Sequence, residues 1–160
     1  MRINIEVGEH IIASLPKVWG NELGVLGFFS KSKEGILHLT DKKLVFVPRY
    51  THLTQKEMDK FYGGDQAKVA KIDRYSETQL DEDIEGTSKS LMIPLASVSI
   101  VESATLRKIN FLRIKYRTGN KVKGYDFGIT KSVTNYPLRQ PLLFYSIDWE
   151  PWVRTIKAYM

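Results

Sequence analysis

The chemistry-bearing residues of this chain are few, and their spacing excludes more than it allows. Its three histidines, His10, His38 and His52, never stand at the i, i+4 spacing that puts two imidazoles on one helix face. There is no cysteine, so disulfides, thiolate nucleophiles and Cys-ligated zinc are excluded. Gly63-Gly64 follows no strand pattern and lacks the further residues that a phosphate-cradling loop needs. Asp126-Phe127-Gly128 sits inside an alternating strand pattern, with no kinase lysine or catalytic loop to accompany it. Asp81, Glu82, Asp83 and Glu85 lack the ligand spacing and turn glycine of a calcium loop, and read as a solvated acidic run. No catalytic residue, metal or cofactor is expected, and the chain reads as a non-enzyme.

Cations are what remains. Lys31 and Lys33, Lys42 and Lys43, and Lys115 and Arg117 fall in turns or along one strand face, with Lys121 and Lys123 close behind. Grouped Lys and Arg bind anions such as phosphate oxygens, carboxylates or an anionic lipid surface. The plainer reading is that water keeps turn residues polar. Residues 51–86 hold nine acidic and five basic side chains, a net of −4. The rest of the chain has 24 − 5 = 19 basic and 18 − 9 = 9 acidic residues, a net of +10. A basic body of this kind attracts anionic lipid, nucleic acid or an acidic protein, and an acidic segment can fold back to shield it.

These side chains need elements to position them. With 160 residues, 42% hydrophobic and 26% charged, the chain fits a single domain over 1–160 with one core. "GILHLTDKKLVFVPR" reads as a hairpin: with a turn over 40–43, Leu37, Leu39, Leu44 and Phe46 share one face. His38 falls on the other face, as a surface or second-face histidine. "NFLRIKYRTGNKVKGYDFGI" reads as a second hairpin around Gly119-Asn120, pairing Leu112 with Phe127 and Ile114 with Tyr125. Arg113, Lys115 and Arg117 line its opposite face, with Asp126 across from Arg113. Tyr116 and Tyr125 lie on the core side, the wrong side for stacking nucleic-acid bases beside those cations. "HIIASLPKVW", interrupted by Pro16, "GVLGFFSK" and "SLMIPLASVSIVE" supply further strands, about seven in all.

Residues 51–86 interrupt the strands. Thr54 and Glu57 form a capping-box pattern, Gly63-Gly64 ends that helix, and Asp65 is placed to cap a second one through about Leu80. Its thin apolar stripe is Val69 and Ile72, and the "DEDIEG" tail is expected to be exposed and mobile. At 148–160, Asp148 is a natural cap, and Trp149, Trp152, Val153, Ile156 and Met160 form one apolar helix face.

Taken in order, "GILHLTDKKLVFV", "MIPLASVSIVE", "FLRIKYRTGNKVKGYDFGI" and "DWEPWVRTIKAY" resemble the pleckstrin-homology (PH) superfold, in its GRAM and prokaryotic PH-like branch. The likeness covers about 9–130, minus the insertion, plus the last dozen residues. It implies a mainly β (α+β) fold: a seven-stranded antiparallel barrel or sandwich, capped by a C-terminal amphipathic helix and carrying a helical insertion. It also implies recognition of phosphoinositides or proteins, not catalysis. Phosphoinositide-binding members carry a Lys, a spacer and then basic-x-Arg across their first hairpin. Here Lys31 and Lys33 come nearest, with no Arg in the third place. Two further departures are the length of 51–86 and of the link over 130–147, whose Leu142, Leu143 and Phe144 suit a core edge or an interface.

The opening stretch carries Glu6 and Glu9 with no long apolar run, unlike a secretory signal, and nowhere do about 18 apolar residues run together. The expectation is a cytoplasmic protein, free or peripheral to a membrane. Its basic rim of Lys31, Lys33, Lys42, Lys43, Lys115 and Arg117 would meet a protein partner or an anionic phospholipid surface. Nucleic-acid phosphate is the alternative ligand.

Overall fold

The computed structural model of the chain describes residues 3–23, 33–87, 89–134 and 140–160. Lys31 and the strand expected at 24–31 lie outside them. The strands in order are β1 (Ile11–Glu22), β2 (Lys33–Thr40), β3 (Lys43–Pro48), β4 (Leu91–Pro94), β5 (Val98–Leu106), β6 (Ile109–Thr118), β7 (Lys121–Thr134) and β8 (Gln140–Phe144). The helices are α1 (Gln55–Tyr62), α2 (Glu77–Glu85) and α3 (Glu150–Tyr159). Seven strands follow one antiparallel path, β4-β3-β2-β1-β7-β6-β5, and β8 pairs with the far half of β7.

Both hairpins take the registers that their alternation dictates. In β2–β3, Leu39 faces Leu44, Leu37 faces Phe46 and His38 faces Val45. In β6–β7, Leu112 faces Phe127, Ile114 faces Tyr125 and Arg113 faces Asp126, around a turn whose Gly119 has φ +63°. Pro16 does not break β1 into two strands. A bulge between Leu15 and Val18, with Lys17 at φ +59°, absorbs the missing N–H, and from Val18 onward β1 also pairs with β7. In the "MIPLAS" stretch the strand does end at Pro94, and a short 3-10 turn, Leu95–Ser97, leads into β5.

Two cores result. The larger lies inside the curve of the sheet, where Leu15, Leu37, Phe46, Leu112, Ile114 and Phe127 meet the apolar face of α3. Trp149, Trp152, Val153 and Ile156 form that face as the periodicity requires, but Met160 is 52% exposed because the helix ends before it. Asp148 stands one residue before the cap position, and its carboxylate still accepts the Glu150 N–H at 3.0 Å. The second core lies on the other face of β2–β3, where Ile5, Ile11, Val45 and Val47 pack under Leu80 and Ile84 of α2. In the 130–147 link, Phe144 packs edge-on against Phe111 while Leu143 is exposed.

The insertion divides between these cores. Its first half begins with the expected capping box, Thr54 and Glu57 each bonding the other's backbone N–H at 3.2 Å. The helix expected from Asp65 to Leu80 does not form. That backbone is committed elsewhere: Ala67 N–H donates to Asp148 O, Ser14 N–H donates to Ala70 O, and Lys68 O accepts the Trp152 indole N–H at 3.0 Å. The second half contains α2, capped by Ser76, so "DEDIEG" is helix with Asp81 and Ile84 buried, not a mobile tail. The Asp81 carboxylate accepts the backbone N–H groups of Ile3, Asn4 and Ile5, binding the N-terminal segment to the helix.

Trp152 fills the main core and holds the insertion with one side chain, so Trp152→Ala should cost about 3–5 kcal/mol, read from urea unfolding midpoints.

Candidate functional site

The end of the β6–β7 hairpin concentrates exposed positive charge. Alternation sends Lys115 and Arg117 to the outer sheet face, and Lys121 and Lys123 to the face that carries Tyr116 and Tyr125. Arg117, Lys121 and Lys123 are exposed, and none forms an ion pair among the described residues. Val122 stands among them at 61% exposure. Lys115 is half-buried, its stem lying over Gly124, where a Cβ would meet it at 3.2 Å and Leu23 at 2.9 Å. Lys33 begins β2 away from this end: Gly20 of β1 pairs with both Lys33 and Phe127, and Phe127 lies about 20 Å along β7 from Lys121 at strand rise.

Arg113 plays a different part. It makes a two-pronged bond to Asp126 at 2.9 Å through Nε and Nη2, as the cross-strand pairing predicts. That bond raises the guanidinium's affinity for its proton, with burial opposing it and Glu102 adding to it. The pair braces the hairpin and leaves the cations beyond it free.

The structure does not gather the six expected site residues into one rim. Lys33 and the Lys42–Lys43 pair sit at opposite ends of β2, about 23 Å apart at strand rise. Lys42 pairs with Glu6 at 3.7 Å, and Lys43 with the buried Glu9 at 3.3 Å. Glu9 also accepts the Thr40 hydroxyl, so Lys43 compensates a buried charge. The shielding expected of the acidic insertion therefore falls, at Lys42 and Lys43, to the N-terminal segment. Three of the insertion's own carboxylates are engaged elsewhere: Asp83 with Arg49, Asp73 with Lys60 and Asp81 with the backbone of the N-terminal segment.

Tyr116 and Tyr125 stack on the inner face, their ring centres 6.5 Å apart. Burial, then Glu22, raises both phenols, Tyr125 to about 12, so they stay protonated at neutral pH. Neither ring offers an exposed platform next to Arg117.

One constellation went unread in the sequence. His38 is wholly buried on the second face, its Nδ1 2.7 Å from Ser14 Oγ and its ring stacked on Tyr75 at 5.1 Å. Tyr75 donates its hydroxyl to Asp83, which pairs with Arg49 at 3.1 Å. Whichever of Ser14 and His38 donates, Nε2 has no partner among the described residues. Burial drives His38 down to about 3, against the pull of Asp83 and with the push of Arg49, so the ring is neutral at pH 7. A serine and histidine this close can make a nucleophile and base. Here both are sealed, at 1% and 0% exposure, which gives the pair a structural part. A signal for this burial was present: Ile36, Val45 and Val47 make the second face apolar as well. Among the described residues, no group of three or more His, Asp or Glu side chains could hold a metal ion. No helix among them is long and apolar enough to cross a membrane.

Comparison with known families gives no matching family model, and comparison with curated proteins gives no match. The architecture itself is an α+β fold, a seven-strand antiparallel sheet with a C-terminal helix packed on β5 and a helical insertion.

Asp126→Ala should lower stability by about 1–3 kcal/mol, because it strands Arg113. The double variant Arg113→Met/Asp126→Leu should stay within about 1 kcal/mol of the wild type, since neither charge remains. Urea unfolding of both variants distinguishes a brace from a ligand site.

Proposed function

We propose that the chain is a non-catalytic interaction module of the PH-like type, which docks on an anionic phospholipid surface through the basic end of the β6–β7 hairpin. Seven antiparallel strands and a Trp-bearing C-terminal helix over the inner face support the PH-like reading. The observation that carries the docking surface is the set of three exposed cations, Arg117, Lys121 and Lys123, around exposed Val122, none of them in an ion pair among the described residues. Lys42 and Lys43, by contrast, already have carboxylate partners.

Each Lys or Arg near an anionic leaflet contributes about 1 kcal/mol, so three give about 3 kcal/mol of salt-sensitive, reversible attraction. Val122 offers one small apolar contact. This is a charge-reading site without the convergent pocket that would select one headgroup. A bound membrane would place the protein at the membrane periphery.

Flotation with phosphatidylcholine vesicles, alone and with 30% (about one lipid in three) phosphatidylserine, tests the reading. The wild type should float only with the anionic vesicles and lose binding at high salt. Arg117→Gln/Lys121→Gln/Lys123→Gln should weaken binding at least about tenfold, and Lys42→Gln should leave it unchanged. No flotation, or equal flotation of the triple variant, would overturn membrane docking. A pull-down by an acidic protein or salt-dependent binding to DNA would then identify the anion instead.

A further inference from the structure

The second core holds a histidine at a cost that packing alone does not explain. Val45 lies across the hairpin from it and the second core on this face is otherwise apolar, yet His38 keeps a buried Nε2 with no partner among the described residues. An unpaired polar group in such a place destabilises the closed arrangement by its full loss of hydration.

Every charged group around the ring is engaged elsewhere. From β1 the ring meets only the neutral Ser14 hydroxyl. From the loop before α2 it meets the Tyr75 face, whose hydroxyl donates to Asp83. On α2, Asp83 is bound by Tyr75 and Arg49, Glu77 accepts the Ile11 N–H, and Asp81 accepts the Ile3–Ile5 backbone. After β3, Arg49 brings a like charge, and in the N-terminal segment Glu9 is held by Thr40 and Lys43. A proton on His38 would meet no direct counter-ion while Tyr75 and α2 lie over it.

The insertion is built so that its second half can move apart from its first. Its first half is fixed to the main core through Phe61, Ala67, the Lys68–Trp152 bond and the Ala70–Ser14 bond. Its second half packs Tyr75, Leu80 and Ile84 in the second core and bonds the N-terminal segment, Ile11 and Arg49, and the two halves are joined by the turn at Asp73-Arg74, with Arg74 at φ +59°.

We propose that His38 is a proton-operated latch: protonation of its ring releases Tyr75 and α2 from the outer face of β1–β3, while the first half of the insertion stays docked. The sign follows from the two states. In the released state the ring is hydrated and titrates near its ordinary 6.5, and in the closed state near 3. Closure is therefore favoured fully above 6.5 and loses ground as pH falls from 6.5 towards 3. Between pH 7.5 and 5.0 the released-to-closed ratio rises roughly thirtyfold.

Amide hydrogen exchange of the full chain tests this, with protection corrected for intrinsic rates at each pH and followed through low urea. In the wild type, the α2 amides should lose about thirtyfold protection between pH 7.5 and 5.0. Their opening should depend less on urea than that of the β6–β7 amides, the mark of a local event. His38→Phe, which keeps the stacking and cannot titrate, should remove the pH effect; His38→Gln serves the same purpose if the Phe variant does not fold. Unchanged α2 protection in the wild type overturns the latch, as does an equal change in either variant. Urea dependence shared with β6–β7 also overturns it, because the proton would then act through global unfolding.

Discussion

A β2–β3 hairpin that is apolar on both faces has to be covered twice. Leu37, Leu39, Leu44 and Phe46 on one side, and Ile36, Val45 and Val47 on the other, are all nearly inaccessible to water. Strand alternation ordinarily gives an antiparallel sheet one wet face, and here it does not. The curl of β1 and β5–β7 with α3 covers the first face, and α2 with the N-terminal segment covers the second. The insertion is thus part of the wall of the fold. Its length is what allows one stretch of chain to reach both sides of the sheet.

The same constraint explains what could be read from the sequence. Registers were legible because period-two alternation and two turn signals overdetermine them: Gly119-Asn120 and the Thr40–Lys43 turn each leave one pairing that stacks apolar on apolar. The α3 face was legible from Trp149, Trp152, Val153 and Ile156, all long-period signals on one short helix. Residues 66–76 were misread because Val69 and Ile72 suggest a helix. Tertiary bonds from Asp148, Trp152 and Ser14 outweigh so weak a local preference. The α2 stripe escaped notice because one of its three buried positions is Asp81, a carboxylate buried by hydrogen bonding to backbone.

Charge was legible as a total but not as a circuit. The sequence separates an acidic insertion from a basic body, yet of the ion pairs among the described residues only Arg49–Asp83 runs between those blocks. Glu6 and Glu9 take Lys42 and Lys43, Asp126 takes Arg113, and Asp73 takes Lys60 within the insertion itself. Arg117, Lys121 and Lys123, which form no ion pair among the described residues, stand together at the hairpin end. Each of these pairs joins residues from different elements, so no count of charges along the chain anticipates them.

The tie between Lys68 and Trp152 spans 84 positions, and Asp148 holds Asp65 and Ala67 across nearly the same interval. In a chain made from its N-terminus, Phe61, Ala67 and the inner faces of β1 to β3 exist long before α3 can close over them. Non-local closure of this kind is slow, and it leaves apolar surface open in the meantime. The local capping box of α1 and the tight β2–β3 turn can form early, whereas the first half of the insertion has the Ser14–Ala70 bond but lacks those to Asp148 and Trp152 until residues 148–152 arrive. Completion of this fold is therefore timed by synthesis of its last helix, and chaperones would find their longest opportunity just before it.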